Sequence, residues 1–484
     1  MASSEKGAAV HTKHLTMFLG RKSIIHLAGK EWKHHRYLMT KTFNSVTSEN
    51  FEQPVREATT VIAQALKDRI ASYGNEYHMN GDDLSAALVP HVVGKVFFGF
   101  DLGGALLERD DLSALYNTLV DDFDRRMKAP FDPFARFYCI PTPANIKYKR
   151  GHRLAREMFI KTLNKHRPTK SSTPAWKNRS DFLMAILAFV EGQGYSSDDE
   201  EIIDMMVSAY LFSLESMTTT IQYMLYCSAK NPAVEQKCLD EINGALKEDG
   251  TLNVDDLTYC HAFITEVLRL YPLLPFSWRQ LETELTLGET TIPAGMKVYV
   301  SNWYLNRDER SFPRPLEVLP ERWVERTATG TWDLRSSKDA MPMKSISIPI
   351  GKVAVPLKSS ATSIPALKAS ITSVDCEQFY DSDSDSEDGF DDDYAVDDCC
   401  GKQASMTSNP EFVPAGDRKN LFSFGKGGRN CPGVNIARKE ACIFFSELIR
   451  HFKFEVEEGY KIHPNTKGIN QKPLDGVPFI ISRR

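Results

Sequence analysis

The chain has 484 residues, 42% of them hydrophobic and 25% charged, and a mean hydropathy of -0.34, which argues against a polytopic membrane protein. Its net charge of -5 conceals an acidic tract, residues 375–398, with 12 acidic residues and no Lys or Arg, so the rest of the chain carries about +7. A mildly basic body suits an acidic protein partner or an anionic membrane surface. No basic tract with interleaved aromatic residues favours nucleic-acid binding.

Helices are predicted along most of the first half of the chain. Residues 30–271 are punctuated by Pro, Gly and Asp and show almost no alternation of period two. The segments 47–73, 111–127 and 145–163 have the polar composition of surface helices. Residues 199–227 differ, because their middle, M-M-V-S-A-Y-L-F-S-L, is apolar all round. A run of about 10 such residues predicts a buried core helix that Pro232 ends.

A β region and an insertion are predicted after these helices. Residues 282–300 alternate between polar and apolar side chains, with turns at Gly288 and Pro293, which indicates a short hairpin region. Residues 325–415 lose periodicity and include D-S-D-S-D-S-E-D-G-F-D-D-D, so they are predicted to be a disordered acidic insertion. A strong helix is predicted at 434–452 and a terminal hairpin around 473–477.

The nine cysteines are scattered without repeated C-x-x-C pairs, a spacing that predicts neither a zinc site nor a disulfide framework. We expect reduced thiols in a cytosol-facing compartment. The first residues, M-A-S-S-E-K-G-A-A-V-H-T-K-H, hold no apolar segment approaching the roughly 18 residues of a membrane span. The chain as given is therefore expected to carry no anchor segment.

The most informative stretch is F-G-K-G-G-R-N-C-P-G, residues 424–433, directly before a predicted helix. A cysteine at that place feels the free N–H groups and positive dipole end of the helix, which favour the metal-binding thiolate. Gly427 and Gly433 permit turns and close backbone approach, Arg429 offers a planar fork to a carboxylate, and Phe424 could shield the sulfur of Cys431. An isolated cysteine of this kind is more often a buried structural residue.

This stretch resembles the haem-binding loop of the cytochrome P-450 family, which has Phe, Gly, Arg, Cys and Gly at these five spacings. The resemblance implies the mainly α cytochrome P-450 fold with a small β-sheet region. It also implies haem b (iron protoporphyrin IX) as cofactor, with Cys431 as the axial ligand of the iron. We expect residues 1–324 and 416–484 to form the two parts of one haem domain, the first part lacking the family's anchor and N-terminal strands.

Three further residues match the family's contacts to the haem propionates. Trp32 and Arg36, in G-K-E-W-K-H-H-R, match its Trp-x-x-x-Arg helix, and Arg279 stands where the family places a basic group. Together with Arg429 they are implied to clamp the propionates, because a guanidinium fork engages a carboxylate with two hydrogen bonds. Outside the family each arginine would more often be a solvated surface residue.

A second motif, T-E-V-L-R-L-Y-P, places Glu266 and Arg269 on one helix face. Alone this spacing indicates a surface ion pair. The family carries Glu-x-x-Arg here and a downstream P-E-R-[FW] element, supplied by residues 320–323, so the resemblance implies a buried ion-pair network of Glu266, Arg269 and Arg322. Breaking one pair would leave an unpaired buried charge.

The predicted core helix contains L-F-S-L-E-S-M-T-T-T, which is similar to the family's proton-delivery motif. By that resemblance Glu215 and Ser216 are the catalytic acid and alcohol. Ser213 replaces the Gly that lets oxygen approach, and Met217 replaces the second Thr, so efficient O2 activation is left open. The alternative is that Ser216 bonds back to a helix carbonyl.

The resemblance implies a monooxygenase that inserts one atom of O2 into a small apolar organic substrate. Electrons would come from a separate NADPH-dependent reductase, docked near Lys426, Arg438 and Lys439. The enzyme is expected to be a monomer on the cytosolic face of the endoplasmic reticulum membrane, with no nucleic-acid partner. Two alternatives stay open: a haem-thiolate isomerase or dehydratase that needs no reductase, and a non-catalytic truncated product unable to hold haem. Lipid, sterol, terpenoid and xenobiotic substrates are not distinguished.

Overall fold

The computed structural model describes residues 19–45, 48–99, 121–122, 124–125, 140–166, 182–192, 199–335, 421–467 and 470–484. Within these ranges the helices are α1 Gly29–Ser45, α2 Ser48–Tyr73, α3 Gly81–Phe98, α4 Pro143–His166, α5 Phe182–Gly192, α6 Asp199–Lys230, α7 Pro232–Ala245, α8 Thr258–Leu270, α9 Asn302–Leu305 and α10 Val434–His451. The strands are β1 Glu76–Asn80, β2 Phe276–Gln280, β3 Leu285–Leu287, β4 Thr290–Ile292, β5 Lys297–Ser301, β6 Val324–Arg326, β7 Trp332–Leu334, β8 Phe452–Val456, β9 Pro464–Lys467, β10 Asn470–Pro473 and β11 Pro478–Arg483. The predicted mainly α fold with a small β region is confirmed.

Helix α6 lies at the centre of the core, in contact with α3, α4, α8 and α10. Most of its apolar middle is buried, as predicted: residues 205–211 and Leu214 are buried, with Met206 at 0% exposure, and Phe212 and Ser213 are half-buried. The helix ends at Lys230, because the Asn231 side chain donates to the Cys227 carbonyl at 2.8 Å and Pro232 begins α7. Among the described residues no helix combines the length and apolarity needed to cross a bilayer.

The strands form small antiparallel sheets at the edge of the helical core. A three-stranded sheet has the order β1-β11-β8, and the other described strands pair as β2–β5, β3–β4, β6–β7 and β9–β10. Strand β1 falls in the part of the sequence predicted to be helical. It escaped the sequence pattern because its partner β11 lies at the other end of the chain, where Tyr77 pairs with Ile481.

The predicted terminal hairpin around 473–477 is wrong. The strands on either side of that turn belong to different sheets, β10 with β9 and β11 with β1 and β8. The turn instead docks on the start of α3: the Gly81 N–H donates to the Val477 carbonyl at 2.7 Å, and the Asn80 side chain donates to the Asp475 carbonyl at 2.8 Å. Long-range pairing of β11 outweighs the local turn signal.

The boundary predicted at residue 325 is also wrong. Strands β6 and β7 form an ordered hairpin that extends the first folded part of the chain to Arg335, whose N–H donates to the Trp323 carbonyl at 3.0 Å. The Trp332 ring packs on the Tyr259 ring of α8 at 4.6 Å between centroids, which fixes the hairpin on the core. The rest of the predicted insertion and most of the predicted helix at 111–127 lie outside the described residues.

Candidate functional site

The loop before α10, which contains Cys431, forms a tight backbone turn. Gly425 and Gly427 adopt φ values of 70° and 74°, a left-handed conformation that favours glycine. The Cys431 N–H donates to the Phe424 carbonyl at 2.9 Å and the Asn430 N–H donates to the Gly427 carbonyl at 3.1 Å. These two bonds close the turn, so the predicted role of Gly427 as a turn residue agrees with its geometry.

The Cys431 thiol is half-buried, and three influences act on its pKa. Burial is the largest and raises the pKa, while the Gly433 N–H bond and the charge of Arg36 lower it. The net pKa lies above the ordinary value. The N–H at the start of α10 lowers the pKa of the Cys431 thiol, as expected, but in the protein alone desolvation outweighs this donor and the cation. A bound metal cation would supply the missing positive charge.

Trp32 and Arg429, almost 400 residues apart in the sequence, meet at this loop. The Arg429 guanidinium carbon lies 4.6 Å from the centroid of the Trp32 ring, and Arg429 Nη2 donates to the Leu27 carbonyl at 2.8 Å. A Cβ added to Gly428 would stand 3.4 Å from the Trp32 ring. Helix α1 and the cysteine loop are thus packed directly against each other.

Gly433 and Phe424 are the two other loop residues for which the sequence predicts a role. A Cβ on Gly433 would lie 3.3 Å from the Phe43 ring of α1, so this glycine allows the loop to approach that helix. The Phe424 ring lies 5.2 Å from the guanidinium carbon of Arg438, and its carbonyl accepts the Cys431 N–H. Phe424 therefore supports the cysteine through its backbone. Shielding of the sulfur by its ring stays a prediction.

The cysteine loop is lined by three half-buried arginines: Arg429 of the loop itself, and Arg36 and Arg279, which bond to it. Arg36 donates to the carbonyl and side-chain oxygens of Asn430, both at 2.5 Å, and Arg279 donates to the Trp278 carbonyl at 2.7 Å and the Lys426 carbonyl at 3.3 Å. Burial lowers the pKa of all three, and for Arg429 the nearby charge of Arg279 lowers it further.

No carboxylate in the described part of the chain forms an ion pair with any of these three arginines. Desolvated positive charges without a counter-ion are costly, so such a group is expected to bind an anion. This combination of three guanidinium groups and one thiol fits an iron porphyrin. The guanidinium groups can bind its two carboxylates, and the thiolate can ligate its iron.

Glu215 and Ser216 lie on α6, as the sequence predicts. Glu215 is buried, at 9% exposure, and Ser216 is half-buried. The Ser216 hydroxyl donates to the Ser213 carbonyl at 3.3 Å, and the Thr220 hydroxyl donates to the Ser216 carbonyl at 2.7 Å. The hydroxyl therefore makes the back-bond that was the alternative to a catalytic role. Proton delivery by this pair stays a proposal.

The ion-pair network of Glu266, Arg269 and Arg322 is assembled as the resemblance implies. Arg269 Nη2 lies 2.8 Å and Arg322 Nε 2.9 Å from Glu266 Oε1, with all three side chains at 0% exposure. Burial would raise the pKa of Glu266, but Arg269 and Arg322 outweigh it and hold that pKa below its ordinary value. The spacing of Glu266 and Arg269 therefore marks a buried ion pair.

Sequence reasoning missed two asparagines of the site. Asn430 anchors Arg36, and Asn306, fully buried, accepts the Phe422 N–H at 3.0 Å through its side chain and the Arg269 guanidinium at 2.7 Å through its carbonyl. Asn306 thereby joins the ion-pair network to the cysteine loop. The position of Asn430 directly before Cys431 could have marked it as a site residue. No feature of the sequence marks Asn306.

The sequence predicts that a reductase docks near three basic residues, Lys426, Arg438 and Lys439. Lys439 donates to Glu52 at 2.9 Å and to Asp255 at 2.8 Å and is only 15% exposed. Lys426 is exposed, and Arg438 covers Phe424. Lys439 is therefore held in two ion pairs, whereas Lys426 and Arg438 lie beside the cysteine loop.

Comparison with known proteins identifies the family. The family model described as Cytochrome P-450 matches residues 1–342 and 410–476, most of the chain. The chain therefore belongs to the cytochrome P-450 family. Residues 343–409, between the two matched ranges, are not matched.

Curated relatives agree with this assignment. The chain is 23% identical over 333 residues to "Cytochrome P-450 4V2" of Mus musculus, covering 66% of this chain and 62% of the relative. It is 24% identical over 299 residues to "Cyclooctat-9-en-7-ol 5-monooxygenase" of Streptomyces melanosporofaciens, covering 61% of each. It is 26% identical over 219 residues to "1,25-dihydroxyvitamin D(3) 24-hydroxylase, mitochondrial" of Mus musculus, covering 44% of this chain and 40% of the relative. The chain thus spans about three fifths, or less, of the length of these relatives.

Proposed function

We propose that the protein is a haem-thiolate monooxygenase that inserts one atom of O2 into a small apolar organic substrate. The observation that carries the proposal is the half-buried Cys431 thiol beside three guanidinium groups, Arg36, Arg279 and Arg429, that have no carboxylate partner in the described structure. Family membership supports haem as the cofactor, and the names of two relatives, a monooxygenase and a hydroxylase, support the reaction class.

The chain's own residues would hold haem b from two sides. Cys431 would ligate the iron, with the Gly433 N–H bonded to its sulfur to moderate the electron density that the thiolate donates. Arg36, Arg279 and Arg429 would exchange backbone carbonyls for the two propionates, and Trp32 would keep the Arg429 guanidinium in place. When bound, haem b with a thiolate ligand supplies the O2 chemistry.

Glu215 and Ser216 would deliver protons from α6. Glu215 is buried but sits on the same helix turn as Ser216, whose hydroxyl is already oriented by the Ser213 carbonyl. A hydroxyl that donates to a carbonyl must rotate before it can donate elsewhere. This back-bond is also the observation that favours a second candidate, a haem-thiolate isomerase or dehydratase that needs no reductase.

The electron donor and the cellular location of the enzyme are proposed from the family resemblance. A separate NADPH-dependent reductase would dock near Lys426 and Arg438, beside the cysteine loop, with the enzyme a monomer at the cytosolic face of the endoplasmic reticulum membrane. Residues 343–409, which the family model skips, would be an acidic insertion between the two parts of the haem domain, within the predicted 325–415 segment.

The decisive measurement is the absorbance spectrum of the reduced, carbon monoxide-bound protein. The parent and Cys442→Ser are expected to show the thiolate-type Soret band, because Cys442 is fully buried on α10 and turned toward the Val254 carbonyl. Cys431→Ser is expected to lose the band. Absence of the band in the parent contradicts the haem-thiolate proposal. Turnover of hydroperoxides without reductase, and no O2-dependent product with it, would select the isomerase or dehydratase.

A further inference from the structure

One face of helix α1 lies along the cysteine loop. Trp32, Arg36 and Phe43 belong to this face, because at 100° per residue their positions fall within about 40° of one another around the helix. The rings of Trp32 and Phe43 lie against loop residues on either side of Asn430. Arg36 stands between these two contacts on the helix and reaches Asn430 itself.

The Arg36 guanidinium binds Asn430 with two of its nitrogens. Nη1 donates to the Asn430 carbonyl and Nη2 to the Asn430 side-chain oxygen, each at 2.5 Å. Two bonds to one residue fix the plane of the guanidinium as well as its position. A guanidinium has five N–H donors, so three remain for other acceptors. When Arg36 exchanges the carbonyl for a propionate, the side-chain oxygen of Asn430 can still hold it beside the loop.

The positive charge of Arg36 is close to Cys431 and is not neutralised by a carboxylate of the described residues. Arg36 and Asn430 are half-buried, and no ion pair of the described chain includes Arg36. A partly desolvated charge acts more strongly on its neighbours than one in water. Asn430 directly precedes Cys431, whereas Arg279 and Arg429 donate to carbonyls of residues that are not adjacent to the cysteine in the chain.

The effect of such a charge on a thiolate-bound iron has a definite sign. Reduction of the iron adds one negative charge to the iron and its ligand. A positive charge nearby stabilises this reduced form more than the oxidised form, so it raises the reduction potential. A residue that fixes the position of the charge therefore fixes part of the potential.

We infer that Asn430 is a positioning residue that tunes the haem: its side chain holds the charge of Arg36 beside Cys431 and thereby raises the reduction potential of the iron. The inference rests on the proposed haem-thiolate function and adds to it the residue that acts on the potential. It also gives Arg36 an electrostatic role toward the cysteine besides its predicted contact with a propionate.

The test is a spectroelectrochemical titration of the haem-loaded full chain. Arg36→Gln removes the charge, and Asn430→Asp keeps the shape and the acceptor but neutralises the charge. Each is expected to shift the equilibrium about tenfold toward the oxidised iron, which lowers the potential by about 59 mV for one electron. Asn243→Asp, which adds the same charge on the exposed surface of α7, should keep the parent's potential.

Asn430→Leu tests whether the side-chain oxygen holds the charge in place. This variant is expected to lower the potential, because the guanidinium loses the acceptor that keeps it beside the cysteine. Combined with Arg36→Gln it should cause no further change, since no charge is left to position. A general loosening of the loop would instead lower the potential equally with and without the arginine. Asn243→Leu is the matched control and should leave the potential unchanged.

Two outcomes overturn the inference while leaving the proposed function intact: an Asn430→Asp variant with the parent's potential, or an effect of Asn430→Leu that does not depend on Arg36. A parent without the thiolate-type Soret band overturns both the function and the inference. The reduced, carbon monoxide-bound spectrum confirms that each variant holds haem. Asn430→Ser, which withdraws the acceptor by shortening the side chain, replaces any Asn430 variant that does not, with the same expected fall in potential.

Discussion

Nε of Arg322 lies 2.9 Å from Oε1 of Glu266, and neither side chain is exposed to solvent. The Glu266 carboxylate also accepts the Arg269 guanidinium, the Trp323 indole N–H at 2.9 Å and the Leu319 N–H at 3.2 Å. One buried carboxylate thus holds α8 to the connection that leads into β6. Because two arginines depend on it, we expect the fold to be sensitive to its charge.

Glu266→Gln is expected to lower the free energy of unfolding by about 3–5 kcal/mol or to prevent folding, because Arg269 and Arg322 would lose their only buried counter-charge in the described structure. Urea denaturation followed by circular dichroism measures this. Glu317→Gln is the matched control, since Glu317 pairs with Arg314 at the same sequence spacing, at 3.5 Å, but with side chains about one third exposed. It should cost about 0–1 kcal/mol. Equal effects of the two changes would contradict the buried network.

Glu440 on α10 is a second buried carboxyl. Whereas two arginines lower the pKa of Glu266, burial raises the pKa of Glu440. Burial raises its pKa to about 8, and its Oε1 has no hydrogen-bond partner among the described residues. The folded state keeps the proton while the unfolded chain releases it above a pKa of about 4.3, so stability falls as pH rises between these values.

Glu440→Gln removes that dependence and is expected to stabilise the protein near neutral pH. The gain in unfolding free energy over the parent should grow by about 1.4 kcal/mol per pH unit between about pH 5 and 7. Urea unfolding at successive pH values measures the slope. Glu248→Gln, on an exposed loop, should leave stability and its pH dependence unchanged. A constant difference between Glu440→Gln and the parent would show that Glu440 is ionised in the fold.

The elements that the sequence predicts are those whose signal is local. The apolar run in α6 and the glycine-rich turn before α10 are each contained in a short window, and both are found where predicted. Strand β1 and the docking of the 474–477 turn on α3 depend on pairing between the two ends of the chain, which no local pattern encodes.

In the site, too, the features that the sequence does not predict depend on contacts between distant parts of the chain. The contact of Trp32 with Arg429 joins residues that only the family resemblance associates. The thiol of Cys431 was expected to be a thiolate from its helix terminus, but its pKa is set mainly by burial, which depends on how the whole core packs. Glu440 occurs in a polar part of its helix sequence and gives no sign that its side chain is buried.

Arg429→Gln is expected to accelerate haem loss about tenfold or more, because a hydrogen bond to a charged group contributes about 1.5–3 kcal/mol. The measurement is the rate of haem transfer to apomyoglobin. Arg429→Lys should recover part of the loss, since a charge without the planar fork still attracts a carboxylate. Arg310→Gln, an exposed arginine paired with Asp308, should behave like the parent. Unchanged haem loss in Arg429→Gln would rule out its role as a propionate contact.

Ser216→Ala is expected to lower the ratio of product formed to O2 consumed severalfold while haem content stays constant. The physical reason is that the proposed proton delivery needs the hydroxyl, whereas the helix does not, because the Ser213 carbonyl remains bonded within the turn. O2 electrode and product assays on the reductase-supported reaction give the ratio. Thr220→Val, which removes a hydroxyl that also bonds back to α6, is the control and should keep the parent's ratio. A normal ratio in Ser216→Ala would exclude the serine from catalysis.

Replacing residues 343–409 by a short Gly-Ser linker is expected to preserve the reduced, carbon monoxide-bound spectrum. The family model matches the chain on both sides of this segment, and the ordered hairpin before it ends at Arg335, whose Nε donates to the Val324 carbonyl at 3.0 Å. Loop-closure entropy depends only weakly on loop length, so removing a passive insertion should change stability little. A full-length variant with the acidic residues of 375–398 changed to Asn and Gln separates charge from length. Loss of haem in the linker variant alone would show that the segment packs on the core, whereas loss in both would assign the effect to its charge.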